Sequence, residues 1–452
     1  MRIPFPAGFE GVEYLPKTRR VLQNCFNNGD GKIIGRPGIE LIAETNAVAR
    51  GSFVWNGALY HVLSQELVKM TNLVTGTYSV IGTIAGPEAI ETAIGFNEAV
   101  IVVKGGAIYT LDASDTLTDI SGEANIEPSV DVCHINGRFV YIPADGDPAY
   151  VSDVGNAASV QPPSFFDAEE LPDKNNACFN FNNTLFICGT DSIQLFRDAG
   201  ILPNPLRVVN GSRIPNGYIG GLLEYNSTFL FIGREKDQDF GIYAIGQGQA
   251  PKISNESIDL ILSTYTQAEL AEAISGRIKW RGYDLATFTL RRHSFGFFGG
   301  NWFLLDTVFD GVSRPWGAGY ITQFDGEYYT AFSDKLGRIG KLNTDYGERI
   351  THIIDLAMEQ ADGDYFACQQ IELGISQGYN AANGSVAIMM SRDNVTYGPP
   401  VYRNLGSIGQ YAQKLIWNPP GGLGSYQGFM GVRIYSTEDI EFSLDYMSAS
   451  LR

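Results

Sequence analysis

Trp55-Asn56-Gly57, followed by ALYHVL (58–63) and the returning run QELVKM (65–70), is the stretch of sequence that decides the fold. An aromatic residue, an Asn-Gly pair and an alternating apolar run are typical of a tight turn that starts a β-strand. The unit recurs along the chain, with its Asn or Asp at positions 56, 97, 136, 182, 226, 284 and 325. The steps between copies are 41, 39, 46, 44, 58 and 41 residues, and this spacing predicts a β-propeller with four short strands per blade.

The repeated hairpins predict an all-β fold with a β-propeller of about six to seven blades. Each hairpin has one apolar face and is marginal in water by itself. Radial stacking of the blades buries both faces of each sheet and leaves only short edges exposed. A strand from the N-terminal segment is a candidate to complete the last blade. The alternative is a set of ordinary hairpins in β-sandwiches, and the near-regular spacing argues against it.

We expect three regions along the chain. Residues 1–48 form an N-terminal segment that joins the propeller or neighbouring subunits, residues 49–346 form the β-propeller, and residues 347–452 form a C-terminal β-sandwich of six alternating strands. The propeller has insertions near 200–220, where Pro and Gly predict a long ordered loop, and near 250–275. In the second insertion, Thr266 and Glu269 have the spacing of a capping box, which predicts a helix on the outside of a blade.

The chain is strongly acidic: its 452 residues include 50 acidic and 32 basic ones, for a formal charge of −18. Few cations are available to replace phosphate counterions, so a protein that grips DNA is a poor fit. The charge serves either solubility alone or, more specifically, a repulsive wall past which DNA slides. No stretch approaches 18 apolar residues, and the N-terminus has no signal-like apolar region. We therefore expect neither a membrane span nor secretion by the general route.

The candidate chemical motifs indicate structural roles. Residues 391–397, SRDNVTY, are similar to the Asp-box turn of sialidase-type propellers, in which the Asp binds backbone amides. Residues 27–31, 145–147 and 362–364 lack the further oxygen ligands of a calcium loop and indicate tight turns. The basic clusters 17–20 and 290–293 are either solvated surface or contacts to an acidic neighbouring subunit or a phosphate.

The cysteines and histidines also point away from catalysis and metal binding. The cysteines Cys25, Cys133, Cys178, Cys188 and Cys368 are widely spread without a C-x-x-C pair, as expected of free thiols in a reducing cytoplasm. The four histidines are not spaced in the sequence as metal ligands are; they are His61, His134, His293 and His352. The sequence therefore predicts no catalytic, cofactor-binding or metal-ligating residue, and no cofactor.

Three segments resemble the tail hub, or nozzle, proteins of short-tailed bacteriophages, which are also called packaged-DNA stabilisation proteins. VLQNCFNNGDGKIIGRPGIELI (21–42) resembles the opening of that family, where an Asn-containing segment precedes a turn such as Arg36-Pro37-Gly38. SIDLILSTYTQAELAEAISGRIKWRGYDLATFTLRR (257–292) resembles its middle part, where a short helix precedes an alternating strand. SRDNVTYGPPVYRNLGSIGQYAQKLIW (391–417) resembles its carboxyl-terminal part.

The resemblance implies a non-enzymatic subunit of the virion tail, assembled in the host cytoplasm as a homo-oligomeric ring, a hexamer. It implies that the ring extends the DNA channel below the portal and the adaptor (head-to-tail connector) protein, retains the packaged genome and conducts it during ejection. The implied partners are the adaptor, a tail needle or plug, and tail fibre or tailspike proteins. Genomic DNA would pass through the lumen without sequence-specific binding.

Two other functions remain open on the sequence. A carbohydrate-active or carbohydrate-binding phage propeller, of the depolymerase or sialidase kind, would place two carboxylates about 5 to 10 Å apart in a pocket with stacked aromatic rings. A plain protein-interaction propeller would make no channel at all. A glycan hydrolysis assay separates the first of these from a tail component.

Overall fold

The computed structural model of the chain describes residues 1–452 except 12–18, 147, 163, 167–172, 203, 237, 247, 341, 360–364, 376–383, 406–413 and 420–421. The regular secondary structure of the described residues is nearly all β, as predicted, with 42 strands and two short helices. Neither helix has the length and apolar character that crossing a bilayer requires.

The strands follow one another in an N-terminal group, seven blades and a C-terminal group. The N-terminal group is β1 (Arg2–Ile3), β2 (Val21–Gln23), β3 (Cys25–Asn27), β4 (Ile33–Gly35) and β5 (Ile39–Glu44). Blade 1 contains β6 (Ala49–Trp55), β7 (Ala58–Leu63), β8 (Glu66–Asn72) and β9 (Thr77–Thr83). Blade 2 contains β10 (Ile90–Ile94), β11 (Glu98–Val103), β12 (Ile108–Asp112) and β13 (Leu117–Asp119). Blade 3 contains β14 (Ser129–Ile135), β15 (Arg138–Pro143), β16 (Ala149–Val151) and β17 (Phe165–Phe166).

Blade 4 contains β18 (Asn175–Phe181), β19 (Thr184–Gly189), β20 (Ile193–Asp198) and β21 (Leu206–Val208). Blade 5 contains β22 (Asn216–Tyr225), β23 (Thr228–Glu235) and β24 (Gly241–Ile245). The helices α1 (Glu256–Leu262) and α2 (Gln267–Ala271) follow it. Blade 6 contains β25 (Ile274–Trp280), β26 (Tyr283–Thr289), β27 (Ser294–Phe298) and β28 (Asn301–Phe309), to which β29 (Val312–Pro315) is paired. Blade 7 contains β30 (Tyr320–Phe324), β31 (Glu327–Phe332) and β32 (Lys335–Ile339).

The C-terminal group begins with the hairpin β33 (Thr344–Asp345) and β34 (Glu348–Arg349). The remaining strands are β35 (His352–Glu359), β36 (Tyr365–Ile375), β37 (Ser385–Ser391), β38 (Val401–Asn404), β39 (Leu415–Trp417), β40 (Gly424–Gln427), β41 (Phe429–Ser436) and β42 (Ser443–Leu451). They include all six strands predicted for the sandwich, which are β35, β36, β37, β39, β41 and β42. Residues 376 and 411–413, which the prediction assigned to two of these strands, lie outside the described residues.

The innermost strands of the seven blades contact one another in a closed ring. Each first strand packs beside the next, from β6 through β10, β14, β18, β22, β25 and β30, and β30 returns to β6. Blades 1 to 5 are sheets of their own, the sheet of blade 7 also contains β5 and the hairpin β33–β34, and the sheet of blade 6 continues through β2 into the C-terminal sandwich. The predicted propeller of about six to seven blades is confirmed, with six blades outside the sandwich and a seventh shared with it.

The repeated Asn or Asp marks the turn between the first and second strands of a blade. Asn56 and Gly57 have φ angles of 45° and 70°, and two successive left-handed residues also occur at this turn in blades 3 to 7. Such a pair forms the hairpin turn whose twist matches that of the strands, and Asn, Asp and Gly tolerate this conformation. In blade 6 the turn is formed by Arg281 and Gly282, three residues before the predicted origin, because Tyr283 already pairs with Trp280 in the ladder.

The N-terminal strand β5 completes blade 7. It runs antiparallel to β32, with Ile39 opposite Ile339 and Ala43 opposite Leu336. The candidate closing strand is therefore confirmed. Residues from the two ends of the propeller sequence thus share one sheet, which closes the ring by backbone hydrogen bonds.

Two predictions for the insertions were wrong: the long loop over 200–220 and the position of the helix on the outside of a blade. The segment 200–220, predicted as a loop, contains β21, the fourth strand of blade 4, and the first half of β22. Its apolar residues enter the cores between blades, where Leu206 and Tyr218 are buried, so its Pro and Gly residues occupy only the short connections. The helix predicted from the capping box is present as α2, and Thr266 and Glu269 make both hydrogen bonds of the box.

That helix does not lie on the outside of a blade. It packs on the innermost strand β22 of blade 5, where a Cβ at Gly220 would lie 2.5 Å from the Leu270 carbonyl oxygen. Gly220 of β22 therefore makes room for the helix. The sequence analysis did not identify α1, although its N-cap was readable: Asn255 Oδ1 accepts a hydrogen bond of 3.0 Å from Ile258 N.

The sandwich is built from both ends of the chain. One sheet has the order β3-β4-β42-β36-β39, with β1 and β40 paired at its side, and the other continues from blade 6 as β2-β35-β41-β37-β38. The core between these sheets is continuous with the core between blades 6 and 7, so that Phe26 and Ile354 belong to the same buried cluster as Ile278 and Tyr328. The N-terminal segment therefore belongs to the sandwich through β1–β4 and to the propeller through β5.

A buried ion pair lies where the N-terminal segment, blade 6 and the sandwich meet. Arg36 donates to Asp345 through both ends of the guanidinium group, at 2.9 Å and 2.5 Å, and both side chains are almost completely buried. The same guanidinium donates to Asn24 Oδ1 at 2.8 Å and to the Asp306 carbonyl at 2.7 Å, and it lies over the ring of Trp316. The Arg36-Pro37-Gly38 turn, on which the family resemblance partly depends, thus supplies the cation of this junction.

Gly38 allows the backbone of that turn to approach the β32–β33 connection. A Cβ at position 38 would lie 2.3 Å from the Thr344 carbonyl oxygen and 2.5 Å from that of Leu342. The Gly38 amide also donates to the Leu342 carbonyl at 2.9 Å. No side chain fits between these main-chain segments.

We expect Asp345→Ala to lower the free energy of unfolding by about 3–5 kcal/mol, because it leaves a buried guanidinium without its counter-charge. The matched control is Asp445→Ala, which removes an exposed pair with Lys32 at 2.8 Å and should cost at most about 1 kcal/mol. Urea denaturation of the three proteins measures both values. Equal losses in the two variants would contradict the role of the buried pair.

We expect Gly38→Ala to destabilise the protein by about 2 kcal/mol or more, since the new methyl group meets main-chain atoms that cannot move aside. The control is Gly122→Ala, where a Cβ would have nothing within 4 Å; that change should be neutral or slightly stabilising. Thermal unfolding compares the two, and similar melting temperatures would show that the turn can shift.

Candidate functional site: the axial cavity of the propeller

A cavity of about 860 Å³ runs along the propeller axis. All seven innermost strands contribute residues to its wall. Examples, one from each strand in chain order, are Ser52, Glu91, Asp131, Asn180, Glu224, Ser275 and Tyr320. Ala271 and Glu272, at the end of α2, also line it, so the helix lies beside the cavity. A volume of this size suits a small ligand or water. It cannot hold a DNA duplex, whose major groove alone is about 12 Å wide.

The described wall of the cavity is acidic. Its carboxylates are Glu88, Glu91, Asp131, Glu224 and Glu272, and the one Lys or Arg among these lining residues is Lys104. Lys104 Nζ lies 2.8 Å from Glu91 Oε1, and this carboxylate raises the pKa of the lysine. The cavity therefore has the same sign of charge as the whole chain.

Asp131 joins two neighbouring blades at the cavity wall. Its Oδ1 accepts a hydrogen bond from Val132 N and its Oδ2 one from Cys178 N of blade 4, both at 2.8 Å. Burial and the negative charge of Glu91 raise the pKa of Asp131 to about 8, although the two amides and Lys104 act in the opposite direction. This carboxyl group consequently titrates close to neutral pH.

The segment 391–397 forms the structural corner that its sequence predicts. Asp393 Oδ1 accepts hydrogen bonds from Thr396 N at 2.7 Å and Val395 N at 2.9 Å, and these bonds lower the pKa of Asp393 to about 2. Asn394 Nδ2 donates to the Arg19 carbonyl at 2.9 Å. The corner therefore anchors the N-terminal segment against β37, and the prediction of a structural role is confirmed.

The turns whose sequences are similar to parts of calcium loops are also structural where they are described. Asn28 Oδ1 accepts from Asp30 N at 2.9 Å and from Lys32 N at 3.2 Å, which closes the turn between β3 and β4. Gly146 has a φ of 90° at the end of β15, while residues 147 and 362–364 lie outside the described residues. Within the described chain, no three His, Cys, Asp or Glu side chains are grouped so as to hold a metal ion.

The four histidines lie apart from one another in the fold. Burial lowers the pKa of His61 to about 4 and that of His352 to about 3. His293 Nδ1 lies 2.7 Å from Tyr265 Oη, and His134 packs between aromatic rings. The prediction of satisfied structural roles fits His293, whereas Nδ1 of His61, Nε2 of His134 and Nδ1 of His352 are buried without a hydrogen-bond partner within the described residues.

The cysteines are buried, and the described residues of the basic clusters make contacts within the fold. All five cysteines are buried and free, as predicted. In the cluster 290–293, Arg292 donates to the Thr264 carbonyl at 2.8 Å and lies over the ring of Tyr265, so this cluster holds the connection between α1 and α2. In the cluster 17–20, residues 17 and 18 lie outside the described residues, and Arg20 N donates to the Glu10 carbonyl.

A family model described as "Bacteriophage P22 Gp10, beta-propeller" matches residues 2–347, and one described as "Bacteriophage P22 Gp10, beta-sandwich" matches residues 351–450. The chain belongs to this family. The resemblance proposed from residues 21–42, 257–292 and 391–417 is thereby confirmed, and the matched ranges divide the chain within the β34–β35 region. Over 445 residues, the chain is 22% identical to the tail hub protein gp10 of Salmonella phage P22, covering 92% of this chain and 91% of that protein.

Solved structures with some likeness to this chain are much more distant. The extracellular domain of a hybrid two-component system from B. thetaiotaomicron has a TM-score of 0.45 at 10% identity, covering 78% of this chain and 45% of that one. Virginiamycin B lyase from Staphylococcus aureus has a TM-score of 0.43 at 10% identity, covering 68% of this chain and 99% of that one. At such scores, neither likeness bears on function.

We expect the stability of the protein to fall as the pH rises from about 5 to about 8, in part because of Asp131. Its folded pKa of about 8 lies above the ordinary value of about 3.9, so the folded state keeps a proton that the unfolded state has released. The stabilisation is therefore complete below about pH 4 and is lost as the pH passes through the folded pKa.

Asp131→Asn removes this titration, so the advantage of the wild type over the variant should shrink between about pH 5 and pH 8. Urea denaturation at a series of pH values measures it, with Asp119→Asn on the exposed strand β13 as the control. An advantage of wild type over Asp131→Asn that stays constant with pH would contradict the raised pKa.

Proposed function

We propose that the protein is a structural subunit of the tail of a short-tailed phage, a tail hub or nozzle. In this role it extends the DNA channel below the portal and the adaptor, retains the packaged genome and conducts it during ejection. The observation that carries the proposal is family membership along the chain, with a tail hub protein as a relative of nearly the same extent. Assembly would take place in the host cytoplasm, before the subunit becomes part of the virion tail.

The DNA channel of such a tail would lie between copies of the chain rather than inside one propeller. The axial cavity of about 860 Å³ is too narrow for a duplex, so a lumen of sufficient width requires several subunits in a ring. A closed ring follows from head-to-tail contacts between identical subunits, and six copies is the number we propose. A formal charge of −18 supports a wall to which DNA does not adhere.

The construction of the chain suits a part that must hold its shape under load. β5 closes the propeller with backbone hydrogen bonds, β2 carries the sheet of blade 6 into the sandwich, and the core of the sandwich is shared with blades 6 and 7. The two domains are thus connected by sheet and core. This leaves the surface turns for the proposed partners, which are the adaptor, a tail needle or plug, and tail fibre or tailspike proteins.

The cavity carboxylates support a non-enzymatic role over a carbohydrate-active one. Glu91 is paired with Lys104, and both oxygens of Asp131 accept backbone amides, so the two groups are committed to the wall. A glycosidase would need such a pair to face a bound sugar. Hydrolysis of a bacterial surface glycan that is lost in Glu91→Gln would instead establish the alternative function.

The test is electron microscopy of the purified protein, alone and mixed with the portal–adaptor complex of the same phage. We expect a closed ring on the adaptor, coaxial with the portal, with a lumen wide enough for duplex DNA and a net acidic inner surface. The portal–adaptor complex without the protein is the control. A protein that stays monomeric and leaves the adaptor unchanged, or a ring lined mainly by Lys and Arg, would refute the proposal.

A further inference from the structure

The outer hairpin of blade 4 presents a basic and apolar surface on an acidic protein. Arg197 of β20 and Arg207 of β21 lie directly opposite each other in the antiparallel ladder, and both are exposed. Like charges in such a pair are destabilising unless an anion neutralises them. Among the described residues, no carboxylate forms an ion pair with either arginine. We call these two arginines, with Ile201 and Leu202, the blade-4 patch.

Two exposed apolar side chains lie in the connection between the strands that carry the two arginines. Ile201 and Leu202, between β20 and β21, are 56% and 68% exposed. Exposed apolar groups of this size beside unpaired cations are typical of a protein contact, because Arg and aliphatic side chains can be desolvated together against a complementary surface. The patch therefore calls for an acidic partner with an apolar surface of its own.

The outer edge of blades 1 and 2 has these complementary properties. β9 is the last strand of its sheet and is seven residues long, whereas the outer strands of blades 2, 3 and 4 have three, two and three residues. Its Val80 is 54% exposed, and no residue from 71 to 87 is charged. A long, exposed and uncharged edge strand is an association site unless something covers it.

Carboxylates lie beside this neutral strand. β13 of blade 2 packs next to β9, since a Cβ at Gly82 would lie 2.8 Å from Leu117 Cδ2. Asp119, two residues farther along β13, and Glu123 after it are exposed. We call β9 together with Asp119 and Glu123 the acidic edge. Its uncharged strand, with the exposed Tyr78 and Val80, and its two carboxylates match the apolar residues and the two arginines of the blade-4 patch.

We propose that the blade-4 patch of one copy of this chain docks on the acidic edge of the next copy. Two chains with a formal charge of −18 repel each other, so copies associate where the local charges are opposite and the remaining surface is neutral. The two surfaces differ from each other, so the contact is head to tail and can close into a ring. The inference rests on the proposed ring and names the contact that forms it.

The positions of the two surfaces around the propeller are compatible with this ring. The acidic edge lies between blades 1 and 2 and the patch lies on blade 4, two to three blades away. For seven evenly spaced blades, this separation is about 130° around the propeller axis. If the propeller axes run parallel to the ring axis, a sixfold ring requires about 120° between the two contacts of a subunit.

The experiment uses charge reversal on each side of the contact, with assembly followed by analytical ultracentrifugation over a range of protein concentrations. One variant is Arg197→Glu with Arg207→Glu, and the other is Asp119→Lys with Glu123→Lys. Each should raise the concentration for half-assembly about tenfold or more. An equimolar mixture of the two variants restores opposite charges at every contact, so it should assemble like the wild type.

The controls separate a folding defect and a wrong contact from a failure of the ring itself. Lys279→Glu with Arg314→Glu makes the same charge change at exposed positions on blade 6 and should leave assembly unchanged, and circular dichroism should show all variants folded. Assembly of the reversed variants at wild-type concentrations, or a mixture that does not recover, would overturn the contact while leaving the ring intact. A wild-type chain that never assembles, alone or on the adaptor, would overturn the proposed function together with the contact.

Discussion

The buried pair between Arg36 and Asp345 is the constraint on which the arrangement of the two domains depends. One guanidinium group joins the turn before β5 to β33, and it also holds Asn24 and the Asp306 carbonyl of blade 6. A buried ion pair adds little net stability, because desolvation of the two charges offsets their attraction. Its consequence is positional: one arrangement of these chain segments satisfies every donor, and any shift leaves a charge buried without a partner.

This constraint explains why the propeller and the sandwich have no flexible linker between them. The chain leaves the sandwich through β4, makes the turn at Arg36 and closes the propeller through β5; after blade 7 it returns past Asp345 to the sandwich. The two crossings are therefore tied together at one point. A rotation of one domain against the other would have to disturb the contacts of Arg36, the pairing of β2 with β28 and the shared core at the same time.

The features that the sequence predicts correctly depend on residues close together in the chain. The turn at Asn56-Gly57, the capping box of Thr266 and the corner at Asp393 are each formed by a few consecutive residues with a conformational preference of their own. A repeat of such turns at a near-constant spacing is sufficient to predict blades, because a hairpin that cannot bury its own face must stack on the next.

The features that the sequence does not predict depend on residues far apart. Arg36 and Asp345 are separated by 309 positions, and neither has a local pattern that identifies the other. The raised pKa of Asp131 arises from its burial between blades and from Glu91 of another blade. The predicted position of α2 was wrong for a similar reason. Its few apolar residues suggested an outer surface, whereas Gly220, in a different element, creates the space that receives the helix.

The acidic charge of the chain has two consequences that act against each other. In the proposed tail role, it keeps DNA from adhering to a wall that the genome must pass, and it also keeps identical subunits apart. Salt at 0.1 M screens both effects beyond about 10 Å, so direct contacts between subunits would decide whether the proposed ring forms. Many of the described lysines and arginines are already paired within the chain, as Lys104 is with Glu91. In the contact that we propose, exposed cations such as Arg197 and Arg207 therefore have a greater influence on assembly than the total charge does.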